Sequence, residues 1–105
     1  MISITPEAAA HIRESAEKGG TQGLPLRVAA MKQPDGSLHY ALGFDDVPRE
    51  GDQHFSSEGI DIVVAPTSFD LLNGTVIDYV ELEPGKFEVI FINPNDPAQQ
   101  NPPQP

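Results

Sequence analysis

The chain predicts a mainly β domain, a sandwich or partly closed barrel of about six or more short strands with two short helices. Three observations carry that reading. Short runs alternate apolar and polar residues. Turn residues such as Pro-Asp-Gly, Glu-Gly and Glu-Pro-Gly separate them. Only two stretches have helical spacing.

The elements follow in order. Thr5-Pro6-Glu7 starts a helix: Thr can cap it, Pro suits the first helical position, and Glu complements the dipole. Ala8, Ala9, Ile12 and Ala16 share one face, and Gly19-Gly20 ends the run. Leu26, Val28 and Ala30 then share one side of a strand. Pro34-Asp35-Gly36 makes a turn, with Gly36 left-handed. Leu38, Tyr40, Leu42 and Phe44 share a face of the next strand. "DDVPREGDQ" is a charged loop. "HFSS", a Glu-Gly turn and "IDIVV" form a further pair. "TSFDLLNG" is a short helix, capped by Thr67 or Ser68 and closed by Asn73-Gly74 in left-handed geometry. "TVIDYVEL" and "KFEVIFI" are two more strands, joined through Glu83-Pro84-Gly85. The domain is expected over 1–95. Residues 96–105 have no apolar anchor and read as a disordered Pro/Gln/Asn-rich tail.

At 105 residues there is room for one domain. Sixteen acidic residues against six basic ones give a formal charge of −10. That argues against nucleic acid, whose phosphates need Lys and Arg, and against an anionic membrane surface. There is no cysteine, so no disulfide, thiolate ligand or Cys nucleophile exists. The first residues lack the basic and apolar regions of a signal peptide, and no apolar run is long enough to span a bilayer. A cytoplasmic protein is therefore expected.

Taken together, "ISITPEAAAHI", "LPLRVAA", "LHYALGF", "GIDIVVAPTSFDLLNGTVIDYVE" and "FEVIFINPN" resemble the A-type iron–sulfur carrier family, the HesB/IscA-like domain. The resemblance runs in order from residue 2 to about 95. It implies a HesB-like pseudo-barrel or sandwich and a homo-oligomer, dimer or tetramer. Members bind iron or a cluster through three cysteines and pass it to apo-proteins. By spacing, the loop cysteine falls on Asp35 and a neighbouring glycine on Pro34. The two tail cysteines fall near Gln100 and Pro102. All three ligands are absent, so no bound cofactor is expected.

Other chemistry has bland explanations. Asp35 and His39 share strand parity, and His54, Asp45 and Asp46 are possible companions for a mononuclear ion. An Asx-type turn at Asp35 and a half-exposed His39 account for the same residues. Ser68 and Asp70 fit helix capping better than a hydrolase, and no nucleophile elbow is present. Catalysis is not expected. Tyr40 and Tyr79 read as core or interface aromatics. Two readings remain. In the first, the chain serves iron–sulfur assembly through protein contacts. In the second, the scaffold is a redeployed binding or dimerisation module without a link to iron, since fold alone does not set function.

Overall fold

The computed structural model describes residues 2–99. Its first strand is minimal: β1 is Ser3–Ile4, and both Ile2 and Ile4 are buried. Helix α1, Pro6–Gly19, starts where Thr5 accepts a hydrogen bond from the Ala8 N–H. Gly20 ends it at φ 69°. Its buried face is the expected Ala8, Ala9, Ile12 and Ala16, and small side chains let it lie close to the sheet.

Strands β2 (Leu26–Lys32), β3 (Leu38–Phe44), β4 (Gln53–Ser57) and β5 (Ile60–Val64) form one sheet in the order β3-β2-β5-β4. β2 pairs antiparallel with β3 along its length, and β5 pairs with it in parallel only at Leu26–Ile62 and Arg27–Val63. Glu58 and Gly59 both take positive φ between β4 and β5, the geometry a two-residue hairpin needs. The second sheet is β1-β6-β7, with β6 at Val76–Glu83 and β7 at Lys86–Ile92. β1 lies parallel to β6, and β7 is antiparallel to it. Val28, Ile62, Val64, Leu72 and Ile77 are fully buried in one core. Each such side chain contributes roughly 1.5–3 kcal/mol.

The seven strands agree with the expected six or more. Four other expectations change. Leu42 is 37 % exposed and does not join Leu38, Tyr40 and Phe44 in shelter. The second helix, α2 at Pro66–Leu72, is capped by Ala65 without a side-chain bond. Neither Thr67 nor Ser68 caps it, because Pro66 takes the first helical position and Ser68 has other work. Asn73 is extended, at φ −60°, and only Gly74 is left-handed. With the Thr75 N–H bonded to the Leu72 carbonyl, this is a type II turn.

Ser68 mends a gap in the sheet. Past Arg27, the edge of β2 that faces β5 has no strand partner. The Ser68 hydroxyl accepts from the Ala30 N–H and donates to the Ala30 carbonyl, both at 3.2 Å. One side chain thus satisfies two buried backbone groups.

The fourth change concerns the C-terminal boundary. Asp96 is buried, and its Oδ1 accepts from the Ala98 N–H to start a 3-10 turn, Pro97–Gln99. Gln99 donates to the Phe91 carbonyl and accepts from the Asn93 N–H. Hydrogen-bonded structure thus runs to Gln99, past the expected boundary at residue 95. Residues 100–105 lie outside the described residues.

Truncation after Asn95 removes these contacts and takes away Asp96, the acceptor of the Tyr40 O–H. It is expected to cost about 1–3 kcal/mol, the range for a lost buried partner. Denaturant unfolding of the truncated and full-length chains measures this; an unchanged midpoint would refute it.

Candidate functional site

The β2–β3 hairpin turn holds the first candidate position. The Gly36 N–H donates to the Gln33 carbonyl at 2.9 Å, the Gln33 N–H to the Ser37 carbonyl at 2.7 Å, and Gly36 sits at φ 90°. Asp35 is exposed, but its carboxylate is engaged. One oxygen accepts from the Ser37 hydroxyl at 2.6 Å and from the Ser37 N–H at 3.0 Å. These bonds, the hydroxyl's first, hold the carboxyl below its ordinary pKa. Asp35 closes its own turn in the Asx manner.

The other candidates are scattered. His39 stands exposed on β3 opposite Met31. His54 is exposed on β4 opposite Val63. Asp45 is committed to Arg27 and to the Val47 N–H. Among the described residues, no group of three or more His, Asp or Glu is placed to hold a metal ion. Gln100 and Pro102 lie outside the described residues.

Two clusters escaped the sequence reading. In the first, the charged loop after β3 folds back onto Arg27. The Arg27 guanidinium donates to Asp45 at 2.7 Å and to both Asp52 oxygens at 2.7 and 3.0 Å. Its side chain is 12 % exposed, and that of Asp52 is 2 % exposed. The Arg27 hydrogen bonds, aided by the Arg49 N–H, outweigh burial and hold Asp52 down to about 2. In the second cluster, Asn93 is buried and donates to the Leu71 carbonyl at 2.8 Å and to the Tyr40 hydroxyl at 3.2 Å. Tyr40 donates in turn to Asp96 at 2.7 Å. Burial, then the Asp96 bond, raise Tyr40 to about 12. The signal for this cluster was present, since Asp96-Pro97 repeats the cap-then-proline pattern of Thr5-Pro6.

The sequence pattern described as iron-sulphur cluster biosynthesis matches residues 1–101. The chain belongs to that family. It is 35 % identical over 95 residues to the iron-sulfur cluster insertion protein ErpA of Nitrosococcus oceani, covering 90 % of this chain and 80 % of that protein. A Bacillus subtilis relative called uncharacterized protein SufA is 36 % identical over 78 residues. That match covers 74 % of this chain and 65 % of the relative, so the chain spans less than two thirds of that protein's length. Among solved structures, the crystal structure of IscA with a 2Fe-2S cluster superposes with a TM-score of 0.74 at 28 % identity, over 90 % of this chain and 86 % of that one. The mainly β HesB/IscA-like fold is therefore shown, in a member with no cysteine.

Replacing Gly36 with Val places a β-branched residue at positive φ and should cost roughly 1 kcal/mol or more. Asp35→Ala should cost less, because its bonds are solvent-exposed. Chemical denaturation of both variants tests this, and equal losses would contradict it.

Stability should also report the two clusters through pH. Unfolded Asp52 protonates near pH 4, whereas the folded group stays ionised down to about 2. Its contribution is full above about pH 4 and is lost as pH falls through about 2. Tyr40 has the opposite slope. Above about pH 10 the unfolded phenol ionises while the folded one stays neutral to about 12, so stability falls as pH rises across that window. Melting temperatures against pH, with Asp52→Asn and Tyr40→Phe for comparison, should lose the acid and alkaline components respectively. Unaltered profiles would refute the assignments.

Proposed function

We propose that this chain serves iron–sulfur cluster assembly as a cysteine-less accessory or regulatory member of its family, acting through protein–protein contacts. It is not an enzyme, and it does not ligate a cluster through thiolates. One observation carries the reading: the scaffold shared with IscA is kept over nine-tenths of the chain, while no cysteine remains in 105 residues. Thiolate or imidazole ligands are what a cluster requires. The turn at the family's loop position supplies a hard carboxylate already bonded to Ser37. A surface can survive the loss of ligands, because backbone and apolar contacts do not depend on them. Partners are then assembly components or ligand-bearing relatives, met in the cytoplasm, with this chain as a homo-oligomer.

Two measurements test the proposal. Anaerobic reconstitution with iron and sulfide should leave the protein colourless, and visible charge-transfer absorption at stoichiometric iron would overturn the cysteine-less accessory role. Affinity purification of the tagged chain from its native host should recover iron–sulfur scaffolds or carriers. Recovery of only unrelated proteins would favour the redeployed binding module.

A further inference from the structure

Charge is distributed unevenly over this acidic molecule. A groove of about 430 Å³ lies along β2 and β3 and is walled by α2 and the loop that carries Arg49. Three of the chain's six Lys and Arg residues line it: Arg27, Lys32 and Arg49. None of the sixteen Asp and Glu residues does. Arg27 is neutralised by Asp45 and Asp52. Arg49 is 60 % exposed and only 3.8 Å from Asp45. Lys32 makes no ion pair among the described residues. The floor is apolar, with Ala29 opposite Ala41 across the two strands, and Met31 is 68 % exposed beside it. Paired alanines leave room above the sheet for a side chain that this protein does not supply.

The geometry points to this groove as the docking site for an extended acidic segment of a partner protein, with an apolar side chain seated over Ala29 and Ala41 and carboxylates toward Lys32 and Arg49. Charge complementarity selects that occupant. Asp45 and Asp52 already pair with the groove's arginines, leaving Lys32 as the cation without an ion pair among the described residues, and physiological salt screens the more distant acids over about 8 Å. The volume admits a short stretch of extended chain. This inference rests on the reading that the chain works through protein contacts, and it names a surface and a partner chemistry for them.

The probe is a terminally blocked hexapeptide, Glu-Asp-Leu-Phe-Asp-Glu, titrated into the isotope-labelled full chain and followed by amide NMR. The expected result is saturable shifts centred on Ala29, Met31, Lys32, Ala41, Thr67 and Leu71 below ~1 mM peptide. The same peptide with Lys in place of its acids should produce none. Lys32→Glu and Ala41→Glu, both at exposed positions, should each weaken binding by at least ~10-fold. If either variant melts early, the map on the unaltered chain still decides. Absence of saturable shifts, shifts centred elsewhere, or equal binding of the lysine peptide would overturn the proposal. Shifts of the same amides on dilution alone would assign the groove to a second copy, and shifts on deleting 100–105 would assign it to the chain's own C-terminus; either result overturns it. Peptide failure alongside recovery of assembly proteins from the host would discard this groove and leave the accessory role standing. Binding without such recovery would do the reverse.

Discussion

Asn93 joins what strand pairing leaves apart. The two sheets share no ladder, so their outer strands must be held by side chains. At one seam the Ser57 hydroxyl of β4 accepts from the Ile4 N–H of β1 at 2.9 Å. At the other, β3 and β7 meet through the Tyr40 ring stacked on Phe91, with centroids 4.5 Å apart. Asn93 completes that second seam. Its amide ties the end of α2 to Tyr40, and its backbone receives the chain's return through Gln99. A buried polar network of this kind is favourable only when its members are all satisfied, because each unpaired group would cost more than its bond contributes. The β3–β7 seam and the segment up to Gln99 therefore share one network.

The Arg27 cluster does the corresponding task on the outer face. A guanidinium beside the core tolerates burial because its planar donors meet two carboxylates at once. In doing so it folds the loop between β3 and β4 against the sheet and places Arg49 at the groove's wall. Asp45 and Asp52 are thus held beside the groove, bonded to Arg27. The charge asymmetry of the groove follows from where Asp45 and Asp52 are fastened.

The β2–β3 turn is a complete local structure. Asp35 and Ser37 satisfy each other, Gly36 supplies the positive φ, and the hairpin closes with ordinary backbone bonds. Nothing in that turn is left short of a partner that a metal would provide.

How much was legible depends on the range of the interaction. Local chemistry stands in the sequence: the Thr5 cap, the alanine face of α1, the Glu58-Gly59 and Asp35-Gly36 turns, and the alternating strands each rest on neighbours a few residues apart. The absence of thiolates is equally a property of the sequence alone. The misreadings share a cause. Ser68 reads as a helix cap because its partner Ala30 lies 38 residues away, and Asp96 reads as tail because Tyr40 lies 56 residues away. Short-range patterns cannot register a side chain whose energy comes from a distant backbone group. Alternation told which residues of β2 and β3 turn outward, but only the packing of α2 and the Arg27 loop around them made a groove. The sequence determined the elements and the missing ligands; the tertiary structure decided which polar groups would be buried together, because burial is what makes their pairing obligatory.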